Sequence, residues 1–231
     1  SVVVTEIVGA FIAHAPANLH FLLASRSVPN LPIASLRAHA QVVAISAEDL
    51  RFNAEEAGRF LRDARGLDMS DEQVQGLCSR TEGWVAGLQL ASLSLDHAER
   101  RDDFLQSFSG EARDVAEYLA LDVLKRLAPD LQEFLLHTSI LERLSADSCG
   151  SIVGRDDCQD VLDYLEGSST FLLPLDERRT WYRYHHLFRE FLLGQLKKRQ
   201  PTVIRDLYQR ASQWFAAQGY ANEAVTYALE S

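Results

Sequence analysis

The sequence predicts a mainly α chain with a short α/β stretch at its start and a helix–hairpin–helix unit towards its end. Three observations predict it. Two short apolar runs, Asn18–Arg26 and Gln41–Ser46, have the length and style of buried parallel strands. From Asn53 onward the apolar residues recur at helical spacing. A period of two returns once, at Phe171–Leu175 and Trp181–Tyr184, around a polar Asp176–Arg179 turn. With 231 residues, 47% of them hydrophobic, the chain is long enough for a substantial core in one or two domains.

Each element has a local reason. Ile7–Ala13 reads as a short apolar helix stopped before Pro16, and the two strand-like runs follow it, with Pro29 and Pro32 breaking the chain between them. Asn53 followed by Glu56 has capping-box spacing, and Gly66 is placed to end the helix they start. Ser70 and Gln73 repeat the start signal for a helix over about Asp71–Arg80, and Gly83–Leu95 carries Trp84, Leu88 and Leu95 at helical spacing. Ala98–Gly110 is polar and reads as a hinge or loop. Val115, Leu119, Val123 and Leu127 then mark a long amphipathic helix. Pro129 suits the first position of the next helix, reaching about Thr138. Two short helices near Ala146–Val153 and Asp157–Leu165 precede the hairpin, in which Pro174 predicts an edge strand. A helix over His185–Lys198 closes the unit before Pro201. Three helices, a hairpin and a closing helix have the order of a winged helix. Thr202–Ser231 reads as two helices joined near Gly219, like one unit of a helical repeat. Such a pair cannot bury itself and is expected to stack on something further along.

Composition excludes several classes. The net charge of -10 argues against a nucleic-acid surface spread over the chain. Cys78, Cys149 and Cys158 form no CxxC pair, which predicts buried free thiols in a reducing cytosol rather than disulfides or a zinc knuckle. No apolar run reaches the roughly 20 residues that span a bilayer. Ser1–His14 lacks the basic start of a signal peptide, so a cytoplasmic, internal piece of a larger protein is expected. No Ser–His–Asp or Cys–His set stands out, so no catalytic residue is assigned.

Six stretches in order resemble the large MalT-like regulators of the LuxR family, which are built on a STAND-class signalling ATPase. They are Asn18–Arg26, Asp49–Leu61, Thr81–Leu95, Asp114–Leu124, Phe134–Leu141 and Trp181–Leu192. The resemblance implies a central fragment. Residues 1–50 would end a nucleotide-binding α/β domain, 51–110 form a helical lid subdomain, 111–200 a winged helix, and 201–231 start a TPR-like helical-repeat sensor region. It implies a bacterial, signal-responsive transcription activator switched by ATP and ADP, with the winged helix as an intramolecular clamp over the nucleotide. The parent would be a slow signalling ATPase. This stretch contains no GxxxxGK[ST] and no acidic pair closing an apolar strand, so it is not expected to be an enzyme or to bind nucleotide tightly by itself. The implied partners are the upstream nucleotide-binding half and the downstream repeats of the same protein, a further copy on activation, and DNA only through a tail outside this stretch. No membrane partner is implied.

The resemblance also marks residues. Arg26 ends the first strand-like run, where a forked, permanently charged guanidinium suits the terminal phosphate. Tyr184-His185-His186-Leu187 is similar to the Met-His-Asp-Leu string of related STAND proteins, and by that match His185 would touch the diphosphate from a helix start. Trp84 and Val85 correspond to a region lying against the adenine, although relatives place Pro where Val85 stands; Trp84 also reads as an ordinary core residue. His185 and His186 are not expected to hold a metal, since neighbours on a helix point apart and no third ligand is evident. Arg178, Arg179 and Arg183 on the wing are candidates for DNA or anion contact. The reading helix, however, is flanked or occupied by Asp156, Asp157, Asp160, Asp163 and Glu166, which repel phosphate. That charge predicts a clamp rather than a DNA reader. Two alternatives stand beside it: a pure protein–protein interaction module without nucleotide contact, and a winged-helix DNA-binding domain.

Overall fold

The computed structural model describes residues 2–16, 18–25, 29–96, 104–105, 107–168 and 170–231. The described residues are mainly helical, with one two-stranded sheet. Helices α1 (Val2–Ala13) and α2 (Ile33–Ala38) come first. The two strands expected beside them do not form: residues 19–25 and 41–46 pair with nothing in a ladder. A strand needs a neighbour for its backbone N–H and C=O groups, and none of the described residues supplies one. Their apolar side chains consequently face outward, Leu22 at 92% and Val43 at 89% exposure. The expected hinge over 98–110 lies largely outside the described residues.

The helical subdomain begins where the capping signals place it. Asn53 and Glu56 form both hydrogen bonds of a capping box, each 3.0 Å, at the start of α3 (Ala54–Arg59), which runs on through a wider turn at Phe60–Ala64. Gly66 then adopts a φ of 68° and lets the chain leave. Ser70 and Gln73 form a second box ahead of α4 (Asp71–Thr81), and α5 is Val85–Asp96. A third box, Ser145 with Ser148, was not legible because Ser at its third position is not the usual Glu or Gln.

The winged helix is α6 (Arg113–Tyr118, loosening into wide and tight turns up to Arg126), α7 (Pro129–Thr138), α8 (Ala146–Val153), α9 (Cys158–Gly167), strands β1 (Leu172–Pro174) and β2 (Tyr182–Tyr184), and α10 (His186–Arg199). Pro129 opens α7 as its position predicts. The strands are antiparallel, with Leu172 opposite Tyr184 and Pro174 opposite Tyr182. Leu144 adds a bridge to Tyr182 through two 2.8 Å backbone bonds. The Asp176 carboxylate accepts from the N–H groups of Thr180 and Trp181 and shapes the hairpin turn.

Helix α10 is the centre of the core. It buries Leu187, Phe188, Phe191, Leu192 and Leu196. Arg189 reaches from it to the turn that follows α7 and donates to the carbonyls of Ser139, Ile140 and Leu141 at 2.9–3.1 Å. The chain ends in α11 (Ile204–Ala217) and α12 (Ala221–Glu230), joined at Gly219. This pair stacks back on the winged helix: Arg210 donates to Ile152 O, and Tyr227 OH accepts from the Glu142 N–H. Its outer face still shows Val225 and Leu229. All three cysteines are buried and free, and burial pushes the Cys149 thiol well above its ordinary range.

Candidate interdomain anion site

The turn between α4 and α5 meets the start of α10. Thr81 is the last residue of α4. Glu82 follows in the left-handed region at a φ of 48°, and Gly83 at 70°. That conformation is uncommon for a residue with a side chain and costs about 1–2 kcal/mol. Gly83 is required here: a Cβ on it would lie 2.3 Å from Phe52 O. The turn swings the Glu82 carboxylate towards the wing.

Five contacts converge on that carboxylate. Arg183 on β2 grips it with both terminal nitrogens, at 2.7 and 2.8 Å. Arg51, just before α3, adds a longer contact of 3.3 Å. His186, the first residue of α10, donates its backbone N–H at 3.2 Å and its Nδ1–H at 2.8 Å. Burial by itself would raise the Glu82 pKa. The hydrogen bonds from His186 and Arg183 and the surrounding positive charge outweigh it and hold the carboxyl far below the usual range.

His185 lies beneath this cluster, 2% exposed. Its Nε2 is 2.8 Å from Thr81 O. A carbonyl only accepts, so Nε2 carries the proton and Nδ1 is left bare. Nδ1 is the one buried side-chain nitrogen or oxygen among the described residues without a hydrogen-bond partner. Burial pushes the imidazole down to about 4, against the pull of the Glu82 charge and the Thr81 carbonyl. The His185 and His186 rings stack at 5.2 Å.

Of the residues singled out in the sequence, the structure gathers His185, Trp84 and Arg183. Trp84 is half-buried and packs edge-on against Phe171 at 5.0 Å, beside Tyr118 and His185. Val85 begins α5 beside it. Arg26 lies outside the described residues. Arg178 and Arg179 are exposed on the hairpin turn, away from Glu82, and Arg179 is paired with Glu166 at 2.8 Å. Asp156, Asp157, Asp160 and Asp163 are exposed on and before α9. Glu82 and Arg51 were missed. No spacing rule points to them, because their partners lie up to 104 residues away. Glu82 also answers the search for a third group beside the two histidines: one ligand-type atom each of Glu82, His185 and His186 lies within 4.8 Å of the others.

Comparison with known proteins agrees with this architecture. Residues 120–204 match the family model described as the MalT winged helix domain. The chain is 35% identical over 212 residues, 92% of its length, to the serine/threonine-protein kinase PknK of Mycobacterium tuberculosis H37Rv. It is 30% identical over 223 residues, 95% of its length, to the HTH-type transcriptional regulator MalT of Yersinia enterocolitica, and 29% identical over 229 residues to MalT of Cronobacter sakazakii. The chain spans about a fifth to a quarter of the length of these relatives, 19% of PknK and 24–25% of MalT. No helix among the described residues is long and apolar enough to cross a membrane.

Proposed function

Taking the chain as a MalT-like segment whose residues 120–204 are a MalT winged-helix domain, we propose that it is the closing element of a nucleotide-controlled regulator. The winged helix acts as an intramolecular clamp on the helical subdomain. ADP bound by an upstream nucleotide-binding half holds the clamp shut. ATP together with an inducer releases it and lets copies of the cytoplasmic protein assemble on promoters through a separate DNA-binding tail. The parent is a slow signalling ATPase; this stretch supplies no phosphate loop and is not an enzyme by itself.

One observation carries the reading: the closed contact between the two units is built on charge, around Glu82, Arg183 and His186, at the start of a helix. Such a place suits a phosphate. In this arrangement His186 faces the anion, while His185 supports it from below through Thr81. The matches support a switching rather than an output role, because the same segment resembles parts of proteins named as a transcriptional regulator and as a kinase. The higher identity to PknK favours a second reading of the output, in which the controlled activity is phosphorylation.

Two features argue against a stand-alone DNA reader. The helix that would enter the groove is acidic, and two of the three wing arginines already hold carboxylates of this chain.

The test uses a longer protein that includes the upstream half. Retention of a fluorescent ADP analogue should fall at least about tenfold on His185→Ala or Arg183→Gln, the scale of one lost charged hydrogen bond. Unchanged retention in both variants would exclude the nucleotide clamp and leave an interaction module.

A further inference from the structure

The Glu82 seat offers more positive character than its occupant uses. Arg51 and Arg183 bring two permanent positive charges to one carboxylate. One oxygen of that carboxylate, Oε1, also takes the first N–H of α10 and the His186 ring. Helix α10 is 14 residues long, and its N-terminal end favours an anion. Two guanidiniums, a helix-start N–H and an imidazole are the donors that a phosphate group takes, with three acceptor oxygens where a carboxylate has two. The seat is reachable from solvent: the side chains of Arg51, Arg183 and His186 are 30–38% exposed, against 12% for Glu82. Stacked beneath lies His185 with its unpartnered buried Nδ1, a position able to take a proton when more negative charge arrives above it.

The seat also joins two parts of the chain. Arg51 and Glu82 belong to the helical subdomain, and Arg183 and His186 to the winged helix. Any anion that sits there bridges the two.

We propose that Glu82 is a built-in stand-in for a phosphate-bearing ligand, holding the seat of Arg51, Arg183 and His186 until a diphosphate group displaces it and bridges the same residues. The identity of the anion rests on the nucleotide reading above. Closure then persists while the ligand exchanges, since one bridging anion replaces another. The ligand meets an internal competitor, which lowers its apparent affinity by the fraction of time that Glu82 occupies the seat.

The experiment uses this chain and inorganic pyrophosphate, read by calorimetric titration and by thermal melting. Glu82→Gln keeps the side-chain shape and removes the competing charge. It should melt lower than the parent chain without pyrophosphate, and bind pyrophosphate at least about tenfold more tightly, because the competitor no longer holds the seat. Adding Arg183→Gln should abolish that gain. A Glu82→Gln chain that folds only in the presence of pyrophosphate would support the stand-in equally. The proposal is overturned if Glu82→Gln gains no affinity, if the gain survives Arg183→Gln, or if the variant stays unfolded at every pyrophosphate concentration. The two failures separate. No gain from Glu82→Gln ends the stand-in role whatever the longer protein does with ADP. A clear gain, with ADP retention by the longer protein indifferent to Arg183→Gln, ends the nucleotide reading and leaves a phosphate seat.

Discussion

Arg183 and Glu82 are 101 residues apart in sequence and meet in a two-pronged ion pair of 2.7 and 2.8 Å, which ties the hairpin of the winged helix to the turn after α4. Breaking it from the arginine side leaves a mostly buried carboxylate with Arg51 and His186 alone. Because the guanidinium is about one-third exposed, solvent screens part of the loss. Arg183→Gln should therefore destabilise the chain by about 1–2 kcal/mol, below the value for a fully buried pair. Urea unfolding, with and without added salt, measures it, and the wild-type advantage should shrink as salt rises.

Acid should weaken the fold in two stages. His185 titrates in the folded chain at about 4 instead of 6.5. Between those values the unfolded chain binds the extra proton, so stability is complete above about pH 6.5 and declines as the pH falls towards 4. At about 1.4 kcal/mol per unit this amounts to roughly 3 kcal/mol. The depressed Glu82 carboxyl acts in the same direction but lower, its contribution being present above about pH 4.5 and lost below it. Stability measured from pH 4 to 8 should rise and then level, and His185→Gln should flatten the part between 4 and 6.5.

Arg143 fastens the last helix pair. Its guanidinium lies 4.2 Å from the Trp181 ring centre and 4.5 Å from that of Tyr220, and it pairs with Glu223 at 2.6 Å. Arg143→Lys keeps the charge but loses the flat stacking face. A loss of about 1 kcal/mol is expected, read as faster hydrogen exchange in residues 221–230. Equal exchange in the two proteins would mean that the tyrosines carry the docking alone.

Gly110 is needed for space. A Cβ there would lie 1.8 Å from Leu187 O, and the Gly110 N–H donates to Glu190 at 2.8 Å. Gly110→Ala should push the linker off α10 and lower stability by about 3 kcal/mol, the upper range for overpacking. Thermal melting checks this.

Charge on the winged helix makes a prediction about DNA. The exposed aspartates of α9 and the occupied wing arginines should leave this chain without measurable duplex affinity even at low salt. Binding that weakens steeply with salt and disappears on Arg178→Glu with Arg179→Glu would restore the DNA-binding alternative.

How much of this was legible follows the range of each interaction. The boxes at Asn53 and Ser70, the start at Pro129, the hairpin at 171–184 and the breaks at Gly66 and Gly219 were all readable, because each depends on residues within one or two turns. The runs at 19–25 and 41–46, expected as the edge of a sheet whose earlier strands lie outside this stretch, form no ladder among the described residues for the opposite reason. Apolar character says that a segment needs burial, but a strand exists only where another strand accepts its hydrogen bonds. The resemblance pointed to the right family of folds; that the ring beside His185, that of His186, meets the Glu82 carboxylate is a tertiary fact it did not contain.

By itself the sequence determined where helices begin and end, the order of a winged helix, and the acidic character of the helix before its hairpin. These follow from periodicity, capping and net charge, which are properties of neighbours along the chain. Only the tertiary structure decided that Glu82 and Arg51 meet, that Arg183 is spent on the same carboxylate, and that His185 is held neutral beneath it. Those facts depend on side chains brought together across roughly one hundred residues, and on burial that no local pattern encodes.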